Sequence, residues 1–260
     1  MIRFDEIWER ILFYVSVPTC VCCKERLVWP EKALCRSCVE KREKLKFHSC
    51  SRCGKKLPHC SCSNEYLEGH YIHKLAKVFR YQQRDDRLPV NAPIYSLKRE
   101  NRNDVLNFLA DELTESIRNV FPKAQEYIIT NVPRGRKSIM KYGIDHGALL
   151  AKAVAERLGA RYEKLLISEI KSEQKKLYGM SRRLNAKFRI AKEIDLTNEQ
   201  VLIIDDIVTT GSSMGAAAML IHGMGAKRIH GATLGIAFGD KYKPLVPTEH
   251  IKYIRILKTK

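Results

Sequence analysis

The amino-acid sequence predicts an α/β protein, with a parallel sheet flanked by helices and a small cysteine-rich module before it. Three observations favour this class. After residue 65, short apolar runs alternate with segments of helical periodicity, as in parallel sheets with helical crossovers. All nine cysteines of the 260-residue chain lie between Cys20 and Cys62. The segment "VLIIDDIVTTGSSM", residues 201–214, joins an apolar run to two acids and a loop of small residues. We therefore expect two units, residues 1–65 and 66–260.

The first predicted element is a helix near the N-terminus. Five apolar residues recur there at helical spacing: Ile7, Trp8, Ile11, Leu12 and Val15. We expect this helix to pack on the body of the protein, with a helix at a membrane surface as the alternative. The segment has three acidic residues and lacks a small-residue cleavage site, so it is a poor secretory signal. No apolar run approaches the roughly 20 residues of a membrane span. These features predict a cytoplasmic protein, with the inner face of the membrane as the alternative location.

Eight of the nine cysteines form four closely spaced pairs: Cys20/Cys23, Cys35/Cys38, Cys50/Cys53 and Cys60/Cys62. A C-x-x-C turn directs two sulfurs to one point, as a tetrahedral metal requires. Four pairs supply the ligands of two Zn²⁺ sites. Pairing of neighbours along the chain is the simplest arrangement, and a cross-braced one is the alternative. Disulfides and an iron–sulfur cluster are weaker alternatives, because the cytosol is reducing and such knuckles suit zinc. Cys22 is then spare or replaces Cys20, and His48 and His59 are substitute ligands to consider.

The strands and helices of the second unit follow from apolar periodicity. Strands are predicted at 74–82, 126–132, 162–168, 200–206 and 228–238. Helices are predicted at 103–121, 147–159 and 211–226. The continuous apolar run at 200–206 is typical of a central strand buried on both faces. Pro133 stops the second strand, and Gly159 ends the second helix.

The two acids after the central strand mark the predicted ligand site. Ligands of open α/β sheets bind beyond the carboxyl ends of the strands, where Asp205 and Asp206 lie. The loop 207–213 leads into a helix N-terminus, whose N–H groups and dipole favour an anion. A phosphate cradle beside two carboxylates fits a ribose 5-phosphate, and a divalent cation would tie in a pyrophosphate. The Walker A and dinucleotide fingerprints are both missing from the sequence.

This segment resembles the phosphoribosyl-pyrophosphate (PRPP) motif of type I phosphoribosyltransferases: four hydrophobic residues, two acids and a T-T-G-type loop. The resemblance implies that family's fold, a parallel sheet with a flexible hood, with a zinc-ribbon-like module before it in this chain. It implies ribose hydroxyls on Asp205 and Asp206. It also implies 5-phosphate contacts from five loop residues: Thr209, Thr210, Gly211, Ser212 and Ser213. Upstream, "NVPRGRKSIMKYGIDHGALLAKAVAERLG" resembles the pyrophosphate loop and its helix, which implies pyrophosphate contacts from Pro133, Arg134, Gly135 and Arg136.

The order of segments is similar to that of the ComF family of competence-type proteins. Cysteine knuckles come first, then "F-x-Y" at Phe79 and Tyr81, "YSLKRENRNDVLNFLADEL", "SEQKKLYGMSRRLNAKF" and the PRPP motif. His146 stands where that family commonly has Gln. The segment "SEQKKLYGMSRRLNAKF", residues 172–188, looks like the family's mobile basic loop. The resemblance implies handling of incoming single-stranded DNA during natural transformation, with a DNA-uptake helicase or channel as partner, and transferases of this fold commonly form homodimers.

Two functions remain open from the sequence. In an active transferase, Mg²⁺-bound PRPP loses pyrophosphate through an oxocarbenium-like state, and cationic side chains neutralise the leaving group. The catalytic residues would then be Asp205, Asp206, Arg134 and Lys175. Thr209 stands where purine-type enzymes carry Asp, which argues against purine salvage and leaves the acceptor unidentified.

The second function is a nucleic-acid binder that keeps the PRPP pocket. Lys and Arg number 47 against 29 Asp and Glu, a net charge of +18, which favours polyanionic partners. The excess is greatest in 171–192 and in 241–260. Four aromatic residues near basic ones could stack on bases, although packing in the core or the hood is the favoured role of each: Tyr71, Phe79, Tyr81 and Tyr178. A glutamine-dependent amidotransferase is disfavoured, because the first cysteine, Cys20, belongs to a knuckle.

Overall fold

The computed structural model describes residues 4–46, 49–81, 88–168 and 188–237, with the backbone alone at 4–6 and 136–138. Its helices are α1 Phe4–Ser16, α2 Arg36–Lys46, α3 Glu65–Glu68, α4 Ala92–Glu100, α5 Asn103–Val120, α6 Arg136–Tyr142, α7 His146–Leu158 and α8 Ser212–Gly223. Its strands are β1 Ile72–Arg80, β2 Ile128–Asn131, β3 Arg161–Tyr162, β4 Leu166–Ser168, β5 Phe188–Ile190, β6 Gln200–Val208 and β7 Arg228–Ile236.

Five parallel strands form the main sheet, in the order β1-β7-β6-β2-β3. The predicted central strand, β6, lies between β7 and β2, and Val201 to Ile204 are fully buried. It runs two residues beyond the predicted end, because Ile207 and Val208 still pair with β7. The prediction of a parallel sheet flanked by helices is confirmed.

Helices cover both faces of the sheet. On one face, α5 and α7 bury a stripe of apolar residues against the sheet, including Leu109, Leu113 and Val154. On the other face, α8 buries Met214 and Ile221 in a second apolar cluster. β6 therefore lies between two apolar cores, and well-packed neighbours hold the side chains at its carboxyl end in place.

The prediction of one strand at 162–168 was wrong. Tyr162 belongs to β3, which pairs with β2, whereas Leu166–Ser168 forms β4 and pairs antiparallel with β5. The break occurs where the Glu163 N–H donates to the Ile129 carbonyl, after which the chain leaves the sheet. The β4–β5 pair brackets residues 169–187. Residues 169–187, which include Lys175, lie outside the described residues.

The cysteine-rich module packs against α5 and β1. Arg42 of α2 is fully buried, donates to the carboxylate of Glu112 on α5, and also donates to the carbonyls of Pro89 and Val90. Lys46 adds a second ion pair to Glu112 at 2.5 Å. A buried carboxylate that faces two cations fixes the orientation of α2 on α5.

The expectation that α1 packs on the body was wrong for most of its apolar side chains. Trp8 is 59% exposed and Val15 is 75% exposed. Phe13 is half-buried, and its ring meets that of Trp29 edge to face at 5.6 Å. Within the described ranges, no helix has both the length and the apolar character that a membrane span requires.

Candidate functional site

Each half of the cysteine-rich module gathers four sulfurs. Cys20, Cys23, Cys35 and Cys38 form the first group, and Cys50, Cys53, Cys60 and Cys62 form the second. Within each group all sulfurs lie within 4.8 Å of one another. The pairing of neighbours along the chain is thus the one that the structure shows, and the cross-braced alternative was wrong. None of the nine cysteines, all within the described residues, forms a disulfide.

The sulfur spacing fits a tetrahedral metal. Four sulfurs at 2.3 Å from a zinc ion would lie about 3.8 Å apart. The Cys23–Cys35 distance is 3.6 Å and the Cys53–Cys60 distance is 3.5 Å. Both groups could therefore hold a metal ion. Cys22 and His59 belong to neither group, and His48 lies outside the described residues.

Local hydrogen bonds lower the pKa of two of the cysteine thiols. Burial opposes ionisation of Cys20, but backbone N–H groups, led by that of Cys35, lower its pKa to about 7. Cys50 shows the same balance: burial is outweighed by backbone N–H groups of Cys53 and Arg52, and its pKa falls to about 7. Because the thiolate is the form that binds a metal, these amides favour coordination.

The second candidate site lies at the carboxyl end of β6, where Asp206 is held between two cations. Its carboxylate forms ion pairs with Lys98 on α4 and with Arg134 in the loop after β2, the latter at 2.7 Å. Asp206 is only 8% exposed. Burial by itself would raise the pKa of Asp206, but Lys98 and then Arg134 outweigh it and lower that pKa well below its usual range. Asp206 therefore remains a carboxylate and a strong hydrogen-bond acceptor.

The neighbouring carboxyl group, on Asp205, has the opposite tendency. Burial and the charge of Asp206 raise the pKa of Asp205 well above its usual range. Its Oδ1 accepts a hydrogen bond from the Asp206 N–H at 2.9 Å. Two titratable groups whose environments push their pKa values apart are typical of functional sites. Here one strand end offers an ionised carboxylate beside a carboxyl group that resists ionisation.

The loop after these acids leads directly into α8. Gly211 adopts φ +86° at the N-cap of α8, a conformation that favours glycine. Thr210 Oγ1 accepts a hydrogen bond from the Ser212 N–H at 3.2 Å. The loop is closely packed from behind, because a Cβ atom on Gly211 would lie 2.8 Å from Leu67 Cγ. The arrangement leaves the N-terminus of a twelve-residue helix directed to the same end of the sheet as Asp205 and Asp206.

A second loop approaches the carboxylates from β2. Pro133, Arg134 and Gly135 connect β2 to α6, and of these Arg134 reaches Asp206. The next helix, α7, is capped by Asp145, whose Oδ1 accepts from the Ala148 N–H. His146, the first residue of α7, is 3% exposed, and neither ring nitrogen has a hydrogen-bond partner among the described residues. Burial and then the charge of Arg134 lower the pKa of His146.

The structure thus brings Asp205, Asp206, Arg134 and the loop 209–213 to one end of the sheet. Lys175 lies outside the described residues, as does the side chain of Arg136. Sequence analysis missed Lys98. The available signal was a lysine four residues after Ile94 on the buried stripe of α4, a position where an apolar residue is the usual choice.

The predicted stacking residues are only partly available. Phe79 is 0% exposed and belongs to the core, which is the role that the sequence favoured over base stacking. Tyr81 is half-buried, and its hydroxyl lies 2.6 Å from that of Tyr95. Tyr71 is half-buried and stacks on His222 with ring centroids 3.8 Å apart. Tyr178 lies outside the described residues.

Comparison with known proteins finds similarity to phosphoribosyltransferases in the C-terminal part of the chain. Residues 136–253 match the phosphoribosyl transferase domain family. The DNA utilization protein YhgH of Salmonella typhimurium is 23% identical over 224 residues, which cover 83% of this chain and 96% of that protein. The ribose-phosphate pyrophosphokinase of Thermococcus kodakarensis is 35% identical over 94 residues, which cover 35% of this chain and 29% of that enzyme. The solved adenine phosphoribosyltransferase of Saccharomyces cerevisiae is 20% identical, with a TM-score of 0.37 and coverage of 59% of this chain and 75% of that one.

Proposed function

Starting from the premise that this chain carries a phosphoribosyl transferase domain of the type I fold, we propose that it binds PRPP together with Mg²⁺ at the carboxyl end of β6. The observation that carries this proposal is the junction of the Asp205–Asp206 pair with a glycine-led helix N-terminus. Asp206 and Asp205 would accept hydrogen bonds from the ribose hydroxyls. Backbone N–H groups of residues 209–213 would donate to the 5-phosphate.

Charge neutralisation is the second part of the proposed mechanism. Together with PRPP, Mg²⁺ would supply charge neutralisation to the pyrophosphate group at this site. Arg134 lies beside Asp206 and would donate to the pyrophosphate as it departs from the anomeric carbon. Lys175 and Arg136 are proposed as further cations around that group. In each cysteine group we propose a structural Zn²⁺ ion, because four thiolates at tetrahedral spacing suit zinc.

The biological role that we propose is ComF-like handling of single-stranded DNA during uptake. Three features support it: the net charge of +18, the cysteine knuckles, and the similarity over 83% of the chain to a protein named for DNA utilization. A DNA-uptake helicase or channel would then be the partner. The alternative is an active phosphoribosyltransferase with an unidentified acceptor, which the resemblance of the pocket to transferase sites favours.

Isothermal titration calorimetry tests the pocket. The intact protein should bind PRPP in the presence of Mg²⁺, and Asp205→Ala and Asp206→Ala should each abolish that binding. Asp111→Asn is the matched control, because Asp111 is an exposed acid paired with Arg157 on the outer helices, and its binding should equal that of the wild type. Failure of the intact protein to bind PRPP with Mg²⁺ would overturn both the binding and the transferase proposals.

Fluorescence anisotropy with a labelled single-stranded oligonucleotide tests the DNA role. Binding should weaken steeply as salt rises, since each neutralised phosphate releases counterions. Charge-neutral replacement of Lys175, Lys176, Arg182 and Arg183 together should reduce the salt slope if the basic loop is the contact. A protein that binds PRPP but shows no anisotropy change at low salt would leave the transferase alternative standing and eliminate the DNA role.

A further inference from the structure

Asp206 interacts with more positive charge than it can neutralise. Lys98 and Arg134 both contact this one carboxylate, so the cluster carries an excess positive charge when Asp206 is ionised. The side chains of Lys98 and Arg134 are only 24% and 20% exposed, and that of Asp206 is 11% exposed. Among the described residues these two cations share one carboxylate, and a partly buried cluster with a net positive charge favours a further anion.

The ribose hydroxyls and the two cations compete for the same acceptor atoms. A carboxylate accepts hydrogen bonds through two oxygens, and both cations pair with the same oxygen, Oδ2. A sugar diol that donates to Oδ2 of Asp206 weakens at least one ion pair. The displaced cation then needs another partner near C1 of the sugar, and in PRPP that partner is the pyrophosphate group.

We propose that Lys98 is a further ligand-binding residue of this site, which pairs with Asp206 in the free protein and transfers to the pyrophosphate group when PRPP binds. The inference rests on the proposed function and deepens it. Lys98 is a better candidate for this transfer than a group fixed by several bonds, because its ammonium group lies on a flexible four-carbon stem. The helix that carries it is firmly held, since Ile94 and Leu97 of α4 are 1% and 2% exposed.

The competing explanation is that Lys98 only orients Asp206. Binding of ribose 5-phosphate distinguishes the orienting role from the pyrophosphate-binding role, because this ligand has the diol and the 5-phosphate but lacks the pyrophosphate. A residue that acts through Asp206 must affect both ligands. A residue that binds pyrophosphate must affect PRPP alone.

The experiment compares Lys98→Gln with the wild type by calorimetric titration of PRPP and, separately, of ribose 5-phosphate, both with Mg²⁺. We expect Lys98→Gln to bind PRPP about 10-fold to 100-fold more weakly, the effect of losing one charge-assisted hydrogen bond. Its affinity for ribose 5-phosphate should be unchanged or slightly higher, because Asp206 has lost a competing partner. Retained ribose 5-phosphate binding also shows that the variant pocket is folded. Lys98→Arg should recover most of the PRPP affinity.

Arg99→Gln is the matched control, since Arg99 is the exposed neighbour on the same helix and lies over the ring of Tyr95. It should bind both ligands as the wild type does. Equal losses for both ligands in Lys98→Gln would assign Lys98 an orienting role and overturn the inference, as would unchanged PRPP binding. A wild-type protein that binds ribose 5-phosphate but not PRPP would overturn it too. If the wild type binds neither ligand, the proposed function itself fails.

Discussion

Two adjacent aspartates at the end of β6 have opposite tendencies, and the difference arises from their partners. Asp206 faces Lys98 and Arg134, whereas Asp205 has the charge of Asp206 as its main electrostatic neighbour. Successive side chains of a strand point to opposite faces, so the two cations that serve Asp206 cannot serve its neighbour equally. The free protein therefore stores an unfavourable interaction at Asp205, which a ligand rich in hydroxyl groups can relieve.

Asp205→Asn should stabilise the protein without ligand and abolish PRPP binding. The pKa of Asp205 is raised in the folded state above the ordinary value of 3.8, so its ionisation destabilises the fold as pH rises above that value. An amide removes this penalty, and we expect a gain of about 1 kcal/mol at pH 7. Urea unfolding at pH 7 measures it, with Asp111→Asn as the control that should change little. A lower urea midpoint for Asp205→Asn would contradict the assignment.

His230 predicts a second pH effect, at the opposite end of the sheet. It is 8% exposed and stacks on Phe121 at 4.9 Å. Burial, followed by the charges of Lys74, Arg228 and His73, lowers the pKa of His230 from 6.5 to about 4. A histidine with a lowered pKa stabilises the fold above 6.5 and loses that contribution as pH falls from 6.5 towards 4. We expect the wild type to lose on the order of 2 kcal/mol between pH 7 and pH 5.

The check is urea unfolding of His230→Phe at both pH values. The variant keeps an aromatic ring against Phe121 but cannot be protonated, so its stability should fall much less than that of the wild type. His222→Phe is the control, because His222 is exposed and stacks on Tyr71, and it should keep the wild-type response. Identical pH responses of the wild type and His230→Phe would show that protonation of His230 does not cause the loss of stability at low pH.

At the scale of elements, α3 supports the loop between β6 and α8. This short helix is capped by Asn64, whose Oδ1 accepts from the Leu67 N–H at 2.8 Å. Leu67 is fully buried and fills the space behind Gly211, while the Tyr66 ring lies beside Gly215. The two glycines allow α3 to approach the backbone that would hold the phosphate. Loop conformation is therefore determined by contacts from a segment about 145 residues earlier in the sequence.

Gly211→Ala should destabilise the protein by about 3 kcal/mol, because the new Cβ adds a strained φ of +86° to a 2.8 Å contact with Leu67. Leu67→Ala should cost about 1 kcal/mol less in that background than in the wild type, since the smaller side chain makes room. A double-mutant cycle by urea unfolding measures the coupling. Gly223→Ala is the control at the end of the same helix, where a Cβ meets nothing within 4 Å. Additive effects of the first pair would contradict the contact.

Local periodicity predicted most elements, because each helix or strand buries one stripe regardless of its partners. The helix at 103–121 was located from its apolar stripe, and the central strand at 200–206 from a continuous apolar run. The break after Tyr162 was not, because it depends on long-range pairing: β3 pairs with β2, whereas β4 pairs with β5. Lys98 was missed for a similar reason: its partner Asp206 is remote in sequence, and a lone lysine in a helix is ordinarily a solvated one.

The candidate site shows the same division between local and long-range information. The loop 209–213 was recognisable because its small residues are contiguous with the two acids. The opposite tendencies of Asp205 and Asp206 were not, because they depend on α4 and on the loop after β2. The sulfur groups lie between these cases: C-x-x-C spacing predicted metal ligands, but only the fold shows which pairs share one ion.

At the scale of the whole molecule, the two sulfur groups are attached to different parts of the domain. The first group includes Cys38 of α2, and α2 is held on α5 by the buried Arg42–Glu112 ion pair. The second group is connected to the candidate ligand site through α3. Lys77 of β1 is 2% exposed and donates to the carbonyls of Cys60 and Cys62. Arg52, between two cysteines of this group, donates to the Ser63 carbonyl and to the Glu68 carboxylate on α3.

This connectivity predicts that the two metals affect ligand binding unequally. Cys23→Ser and Cys53→Ser each remove one exposed ligand, and each should lower the bound zinc by about one ion per chain. Loss of the second group frees α3, so Leu67 no longer holds Gly211, and PRPP affinity in Cys53→Ser should fall about tenfold. Cys23→Ser should keep PRPP affinity within about twofold while lowering the urea midpoint, because the first group supports α2, which packs on α5 and β1. Zinc content by chelator titration and PRPP binding by calorimetry provide both readouts.

Equal losses of PRPP affinity in the two variants would show that the module acts as one rigid support, and a loss confined to Cys23→Ser would refute the link through α3.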